Sequence, residues 1–271
     1  MSRDDDLRLV DSHCHINCIE LAEGDSVDAL IERAHKAGVC QMLCVSVDEK
    51  HMHEVIELAE RYPSVKASVG IHPCDGKGVD FSVEQILEWA DHSEVIALGE
   101  TGLDYYRDPD DKAISDQQAA FRKHIQAAHL CQKPIIVHTR HAKADTIAIL
   151  QEEKASEVAG VMHCFTEDWA MAKQALDLGF YISISGIVTF KNADVVKDVA
   201  SKLPSDRLLI ETDSPYLAPV PFRGKQNEPA FVRHTAEYLA QLRGVSLALL
   251  AEQSSQNYLD LFKLDADLLK R

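Results

Sequence analysis

Apolar runs and amphipathic segments alternate along almost the whole chain. Between residues 26 and 36, apolar side chains recur at intervals of three and four, which is typical of a helix with one buried face. The next segment, residues 39–47, is largely apolar, as expected for a strand buried on both faces. The same criteria predict strands at residues 7–9, 39–47, 65–71, 95–99, 134–137, 160–162, 180–185 and 207–210. They predict helices at residues 26–36, 49–61, 83–90, 117–131, 142–153, 169–178, 193–202, 229–242 and 247–261.

This order of elements favours one architecture. Eight predicted strands, each followed by a predicted helix, are typical of an α/β fold closed as a (β/α)8 TIM barrel. No linker rich in proline, glycine or serine interrupts the series, and 271 residues with 46% hydrophobic content suit a single barrel domain spanning residues 1–271. A doubly wound open sheet is the alternative, because hydrophobic periodicity does not show whether a sheet closes.

The charge of the chain limits the partners it can bind. With 28 basic and 44 acidic residues, the formal net charge is −16, which opposes broad electrostatic binding to nucleic acid. A bound phosphodiester would need local attraction from metal ions and a few arginines. No run of about 18 apolar residues is present, and the acidic N-terminus is unlike a secretory signal. We expect a soluble, cytoplasmic monomer without membrane association.

The spacing of the cysteines and the positions of several histidines do not indicate a metal site. The seven cysteines are an odd number, and the pairs Cys14/Cys18 and Cys40/Cys44 lack the CxxC spacing of structural zinc sites. We expect these thiols to be reduced. The histidines on predicted helices are expected at the surface, and they are His35, His51, His53, His124, His129 and His234.

Side chains that bind metals follow the carboxyl ends of the predicted strands. His13 and His15 come after the first strand, and alternate residues of an extended chain point to the same side. The others are Glu100 after strand four, His138 after strand five, His163 after strand six and Asp213 after strand eight. Because these strand ends converge on one mouth of a barrel, the sequence predicts a metal site at that mouth.

The size of this set points to two metal ions. Six ligands exceed the three that a tetrahedral catalytic metal ordinarily takes from its protein. A carboxylate can bridge two cations, and Glu100 lies between Gly99 and Gly102, where small residues allow close backbone approach. We therefore predict two divalent ions that share Glu100. Hydrolysis is the chemistry that such a pair favours.

Seven short motifs and one longer block lie near the predicted strand ends. They are Asp11-Ser-His-Cys-His15, Gly70-Ile-His-Pro73, Gly99-Glu-Thr-Gly-Leu-Asp-Tyr-Tyr106, Ile136-Val-His-Thr-Arg140, Met162-His-Cys-Phe165, Ser183-Ile-Ser-Gly186, Glu211-Thr-Asp-Ser-Pro-Tyr216 and Ala218-Pro-Val-Pro-Phe-Arg-Gly-Lys-Gln-Asn-Glu-Pro229. Together they resemble the TatD family of metal-dependent hydrolases and deoxyribonucleases, which are amidohydrolase-like barrels. The resemblance covers nearly the whole chain and is strongest to bacterial TatD-like paralogues.

The resemblance implies specific roles. One divalent ion would be held by His13, His15, Glu100 and Asp213, and a second by Glu100, His138 and His163. Asp213 would also be the general base for the attacking water, beside the bridging catalytic carboxylate of Glu100. Family members cleave DNA, so the resemblance implies a deoxyribonuclease that acts as a 3′ exonuclease on single-stranded ends. Magnesium is often used in the family, and the histidine-rich ligand set also suits manganese or zinc.

Other side chains near the predicted mouth are candidates for substrate binding. Arg140 and Arg223 lie in strand-end loops, and His72 follows strand three. A guanidinium matches the oxygens of a phosphate group, so we assign these residues to phosphate binding. Tyr105 and Tyr106 have two alternative roles, stacking on a base or packing the loop.

Two alternatives to a nuclease remain. The acidic composition, and the ease with which barrel loops change substrate, favour a small-molecule hydrolase that acts on an amide, lactone or phosphoester. The second alternative is a metal-dependent binding protein without catalysis. Asp213 disfavours it, because binding alone does not require a carboxylate placed as a base.

Overall fold

Parallel strands and helices alternate through the protein. The computed structural model describes residues 7–75, 80–106 and 109–270. Within those residues the strands are β1 (Leu9–Cys14), β2 (Val39–Val45), β3 (Val65–Val69), β4 (Val95–Asp104), β5 (Ile135–Arg140), β6 (Gly160–Met162), β7 (Tyr181–Ile184) and β8 (Leu208–Ile210). The α-helices are α1 (Val27–Lys36), α2 (Glu49–Arg61), α3 (Val83–Ala90), α4 (Asp111–Cys131), α5 (Lys143–Glu152), α6 (Trp169–Asp177), α7 (Asp194–Lys202), α8 (Val232–Arg243) and α9 (Leu247–Phe262). None of these helices is both long and apolar enough to cross a membrane.

The strands form one sheet in sequence order. Each strand from β1 to β7 pairs in parallel with the strand that follows it. The segment just beyond β8 meets β1, because the amide of Asp213 donates to the carbonyl of His13 at 2.9 Å and the amide of His15 donates to the carbonyl of Ser214 at 2.7 Å. The predicted (β/α)8 barrel is therefore confirmed. The doubly wound alternative is wrong, because its strand order would reverse.

Side chains fill the inside of the barrel. One buried cluster takes residues from most of the strands and from the end of α9, and it consists of Val10, Leu43, Val45, Ile96, Ala97, Ile136, Val161, Tyr181, Leu209, Tyr258, Leu259, Leu261 and Phe262. A larger cluster packs the outward-facing strand residues against the helices. Because the interior is occupied in this way, the space for chemistry lies at the carboxyl ends of the strands.

Capping side chains determine where helices begin. Ser26 precedes α1, and its hydroxyl accepts a hydrogen bond from the amide of Ala29. Asp110 does the same for α4 by accepting from the amide of Ala113 at 2.8 Å. This cap explains why α4 begins at Asp111 and not at the predicted residue 117. The first turns of α4 are polar, so apolar periodicity alone did not include them.

Two strands are longer than their apolar pattern predicts. β1 runs to Cys14 and so contains His13, whereas the prediction ended this strand at residue 9. β4 runs to Asp104 and so contains Glu100, whereas the prediction ended it at residue 99. Gly102 and its neighbours remain in register with β5, so backbone pairing continues where apolar side chains stop. Residues of metal-binding types therefore lie within the last part of β1 and β4 and not only after the strands.

His124 contradicts the expectation that histidines on helices lie at the surface. The side chain is fully buried between α4 and the end of β3. Its Nδ1 donates to the carbonyl of Ala120 at 2.8 Å, and its Nε2 accepts from the amide of Ile71 at 3.2 Å. Burial lowers the pKa of His124 to about 4, so the ring is neutral at physiological pH.

Candidate metal centre

The mouth of the barrel brings the predicted metal-ligand side chains together. They come from β1, β4 and β5 and from the segments after β1, β6 and β8, and they are His13, His15, Glu100, His138, His163 and Asp213. His13, His15, Glu100 and His163 are at most 5% exposed. Ionisable groups buried this deeply need partners of opposite charge or a bound ion.

Two glycines allow β4 to bring Glu100 close to its neighbours. Gly99 and Gly102 both have a φ of 135°. A Cβ atom on Gly102 would lie 2.0 Å from the carbonyl oxygen of His138, and one on Gly99 would lie 2.6 Å from that of Ile136. No residue with a side chain fits at either position, which agrees with the close backbone approach expected from the sequence.

One carboxylate oxygen of Glu100 faces the histidines of the first strand. Its Oε2 lies 3.4 Å from Nε2 of His13 and 3.9 Å from Nε2 of His15. Oδ1 of Asp213 lies 3.4 Å from the same nitrogen of His15 and 3.8 Å from that of His13. The two Nε2 atoms are 3.2 Å apart. Four donor groups from three separated chain segments therefore point at one small volume, which we call the Oε2 side.

The other oxygen of Glu100 faces a different set of imidazoles. Its Oε1 lies 2.8 Å from Nε2 of His163, 2.9 Å from Nδ1 of His138 and 3.5 Å from Nε2 of His72. Nε2 of His138 lies 3.1 Å from Oδ2 of Asp104. We call this half of the centre the Oε1 side. Glu100 is thus the residue that both halves share.

The described part of the chain contains three overlapping groups of metal-binding side chains. Within each group, the ligand atoms lie within 4.8 Å of one another. The groups are His13, His15 and Asp213; His13, Glu100 and His163; and His72, Glu100 and His138. His138 and His163, which were predicted to share one ion with Glu100, fall in different groups. His72, which was predicted to bind phosphate, falls in the group of His138 and so stands nearer the metal-ligand set than expected.

Contacts on the outer ring nitrogen orient two of the imidazoles. Nδ1 of His15 donates to the carbonyl of Val45 at 2.7 Å, which leaves Nε2 to face the centre. Nδ1 of His163 lies 3.3 Å from the carboxylate of Glu211, a fully buried side chain. Such contacts on the outer nitrogen select the tautomer and fix the ring plane of a metal-binding histidine.

Asp104 is a residue of the site that sequence analysis missed. Burial alone would raise the pKa of Asp104, but the hydrogen bonds with His138 and the Tyr106 amide and the charges of His138 and Arg140 together outweigh it and lower the pKa to about 2. The signal was present in the sequence, because Glu100, Gly102 and Asp104 alternate along one strand and so share a face. It was missed because the predicted strand ended at residue 99.

The charges of the centre balance one another. Burial raises the pKa of Glu100, but the positive charges of His163 and His72 outweigh it and hold that pKa well below its ordinary value. Burial lowers the pKa of His163, but Glu100 and Glu211 outweigh it and hold the pKa well above its ordinary value. Burial also raises the pKa of Asp213, and the facing histidines reverse this and lower it. The carboxylates are therefore ionised at neutral pH and attract either protons or metal cations.

The donor set fits divalent cations. Nδ1 of His13 and both carboxylate oxygens of Glu211 are buried and have no hydrogen-bond partner among the described residues. Imidazole nitrogens and carboxylate oxygens are common ligands of zinc and manganese, and carboxylates also suit magnesium. The residues present can therefore hold the metal ions that the sequence predicts.

The two arginines assigned to phosphate binding lie on the rim of the mouth and are exposed. Cζ of Arg140 lies 3.5 Å from the centre of the Tyr106 ring, and Cζ of Arg223 lies 4.4 Å from that of Phe190. Arg223 and Phe190 also line a cleft of about 430 Å³. The rings restrict the positions that the two arginine side chains can take.

Comparison with known proteins finds relatives over nearly the full length. A sequence model of the TatD related DNase family matches residues 10–263. The chain is 47% identical over 263 residues to the "uncharacterized metal-dependent hydrolase YcfH" of Escherichia coli (strain K12), covering 97% of this chain and 98% of that protein. It is 40% identical over 260 residues to the similarly named YabD of Bacillus subtilis (strain 168), covering 95% and 100%.

A solved structure agrees with these sequence relatives. The crystal structure of YJJV, a TatD homologue from Escherichia coli K12, superposes with a TM-score of 0.87 at 28% identity and covers 95% of this chain and 98% of that one. The family match, the relatives and the superposition all extend through the segments that carry the candidate metal centre. The chain therefore belongs to the TatD family of metal-dependent hydrolases.

Proposed function

We propose that the protein is a two-metal hydrolase of phosphodiester bonds, and specifically a deoxyribonuclease that removes nucleotides from the 3′ ends of single-stranded DNA. The position of Glu100 carries this proposal. Its two carboxylate oxygens face different sets of histidines, and a carboxylate placed in this way can bridge two cations. Membership of the TatD related DNase family supports DNA as the substrate.

The proposed ions would be held on the two sides of Glu100. The first would be held by His13, His15, Glu100 and Asp213, and the second by Glu100, His138 and His163. Nε2 of His72 lies 3.5 Å from Oε1 of Glu100, close enough to contact the second ion or a phosphate oxygen beside it. The imidazoles suit zinc or manganese, and the carboxylates suit magnesium.

Asp213 is the proposed general base. Its carboxylate lies 3.4 Å from His15 and remains 14% exposed, so a water molecule can reach it. The lowered pKa of Asp213 keeps the carboxylate free of a proton at neutral pH, which is the state that accepts one. When bound, the two cations would lower the pKa of the attacking water and neutralise charge on the phosphodiester.

Contact with only the end of a DNA strand agrees with the negative net charge of the protein. A net charge of −16 repels the long backbone of a nucleic acid, so attraction must be confined to the metal centre and the rim cations. Arg140 and Arg223 are the proposed contacts for the phosphates that flank the scissile bond. The 3′ polarity is taken from the activity of the family whose motifs the chain carries.

The experiment is a cleavage assay with 3′-labelled and 5′-labelled oligonucleotides, single-stranded and duplex, in Mg²⁺, Mn²⁺ or Zn²⁺. We expect stepwise shortening from the 3′ end of single strands and loss of this activity in His138→Ala. His53→Ala, at an exposed position of α2, is the matched control and should behave as the unaltered protein. A metal-loaded protein that cleaves none of these substrates would contradict the proposal.

A small-molecule hydrolase is the second candidate, and the acidic composition favours it. A panel of amides, lactones and phosphate esters, assayed with the same metals, separates the two functions. The small-molecule candidate predicts that one of these esters or amides is turned over far faster than any oligonucleotide, and that His138→Ala abolishes that turnover.

A further inference from the structure

Among the described residues, most of the exposed large apolar side chains lie at the end of the barrel that carries the metal centre. Seven large apolar side chains are exposed among the described residues, and they are Leu21, Tyr106, Leu130, Val195, Tyr216, Val220 and Leu249. Leu130 and Leu249 lie on the outer helices α4 and α9. The other five lie at the carboxyl end of the barrel, Val195 in the first turn of α7 and the rest in the segments after β1, β4 or β8. Apolar groups exposed at the end of the barrel that carries a charged centre are available to a partly apolar ligand.

Tyr216 is the exposed aromatic residue beside the Oε2 side. Its ring centre lies 6.2 Å from that of His15 at an interplanar angle of 64°, and the side chain is 57% exposed. The amide of Tyr216 donates to the carbonyl of Asp213 at 2.9 Å, and its carbonyl accepts from Nδ2 of Asn227 at 2.6 Å. The backbone is therefore fixed to the metal-ligand segment while the ring faces solvent.

Tyr106 has the corresponding position beside the Oε1 side. Its amide donates at 2.9 Å to the carboxylate of Asp104, the group that contacts His138. Arg140 covers part of the ring, and the side chain remains 51% exposed. The adjacent Tyr105 differs, because its hydroxyl donates to Asp145 at 3.0 Å. Of the two roles considered for these tyrosines, packing of the loop therefore describes Tyr105, whereas the part of the Tyr106 ring not covered by Arg140 and His141 is available for stacking.

The two exposed rings lie on opposite sides of the mouth. Tyr106 follows β4 and Tyr216 follows β8, and these strands are four positions apart in a barrel whose strands pair in the order β1 to β8. Each ring is fixed by a backbone hydrogen bond to a residue that belongs to the metal centre or contacts it. A chain that passes over Glu100 would therefore meet one aromatic surface before the centre and another after it.

We propose that Tyr216 and Tyr106 are stacking platforms for two unpaired nucleobases, one on each side of the scissile phosphate. The inference rests on the nuclease function proposed above and adds the means by which single strands are selected. Every base has a face that stacks on an aromatic ring, so such platforms bind a strand without regard to its sequence. In a duplex the bases stack on one another and are paired, so their faces are not available to the two tyrosines.

The test compares two single-stranded oligonucleotides with the same backbone, one with ordinary nucleotides and one whose 3′-terminal residues are abasic. The quantity measured is the ratio of kcat/KM for the ordinary strand to that for the abasic strand. In Tyr216→Leu and in Tyr106→Leu we expect this ratio to fall roughly 5- to 100-fold, the usual contribution of one base–aromatic stack. A general defect of folding or metal binding would lower both rates together and leave the ratio unchanged.

Two kinds of variant control the test. Tyr216→Phe and Tyr106→Phe keep the ring and should keep the ratio. Tyr62→Leu is the matched control for the two leucine variants, because Tyr62 also lies beneath an arginine, with Cζ of Arg61 5.0 Å from its ring centre. Tyr62 lies before β3, at the opposite end of the barrel from the metal centre. This control should keep the ratio as well. An unchanged ratio in both leucine variants, or an equal fall in the phenylalanine variants, would overturn the proposal.

Failure of the platforms is distinguishable from failure of the nuclease assignment. If the unaltered protein cleaves neither oligonucleotide, the nuclease assignment fails. Fluorescence anisotropy with the same two oligonucleotides then tests the platforms, because it gives the ratio of their dissociation constants. Equal binding of the ordinary and abasic strands by the unaltered protein would overturn the platforms. If the ordinary strand is cleaved but Tyr216→Leu and Tyr106→Leu keep the preference, only the platforms are wrong.

Discussion

His163 lies between two carboxylates, with Nε2 2.8 Å from Oε1 of Glu100 and Nδ1 3.3 Å from Glu211. Glu211 is fully buried, and neither of its carboxylate oxygens has a hydrogen-bond partner among the described residues. Its charge is therefore directed at one imidazole. A carboxylate behind a metal-binding histidine makes the ring a better ligand and holds its plane.

Glu211→Gln should weaken metal binding without removing a proposed ligand. We expect the affinity for the metal ions to fall roughly 10- to 100-fold, because His163 loses the charge that orients it. Isothermal titration calorimetry with Mn²⁺ measures the change in the dissociation constant. Glu252→Gln, at an exposed position of α9, is the control and should bind as the unaltered protein does. Equal affinities in the two variants would show that Glu211 does not support the centre.

Asp213→Asn tests the proposed base. The amide keeps an oxygen that can face a cation but accepts no proton, so we expect kcat to fall roughly 10²- to 10⁴-fold. Metal content, measured on the same preparation, separates loss of the base from loss of an ion. Asp206→Asn, in the exposed turn before β8, should retain full activity. Full activity in Asp213→Asn would contradict the assignment of Asp213 as the general base.

Gly102→Ala tests the close approach of β4 to β5. The added Cβ would lie 2.0 Å from the carbonyl oxygen of His138, at a φ that side chains rarely adopt. We expect a loss of roughly 2–6 kcal/mol in the free energy of unfolding, from overpacking and backbone strain together. Gly244→Ala is the control, because Gly244 also has a positive φ but has nothing within 4 Å of the added atom. It should lose about 1 kcal/mol. Equal losses in urea unfolding would contradict the steric argument.

His124 should make the fold sensitive to acid. Burial lowers the pKa of His124 from 6.5 to about 4, so the unfolded chain takes up a proton in this interval and the folded chain does not. The contribution to stability is complete above pH 6.5 and is lost as the pH falls towards 4. Between pH 7 and pH 4.5, the free energy of unfolding of His124→Gln should fall by about 2–3 kcal/mol less than that of the unaltered protein. Urea unfolding in the presence of a metal chelator measures the free energy of unfolding of both proteins. Equal losses in the two proteins as the pH falls would contradict the prediction.

Sequence pattern predicted the barrel because each of its strands is an apolar run followed by an amphipathic helix. It also predicted which side chains meet, since the carboxyl ends of barrel strands converge whatever the helices do. Asp104 escaped because polar residues of the site end the apolar run of β4 before its backbone pairing ends. Hydrophobicity therefore marks the buried middle of such a strand and not its functional end.

Two features of the structure differ from the prediction, each for its own reason. His124 shares the buried face of α4 with Phe121, Ile125 and Ala128, so its helical spacing was a signal of burial that its residue type concealed. The position of His72 beside His138 could not be predicted, because it depends on the conformation of the segment that follows β3. Such lateral distances are set by loop conformation, which periodicity does not describe.

The sharing of Glu100 by two cations is tested most directly by electron paramagnetic resonance of the protein loaded with Mn²⁺. Two ions bridged by a carboxylate and about 4 Å apart couple magnetically. We predict two Mn²⁺ per chain with the spectrum of a coupled pair, and loss of the coupling in Glu100→Gln. One Mn²⁺ per chain, or two with independent spectra, would contradict the account.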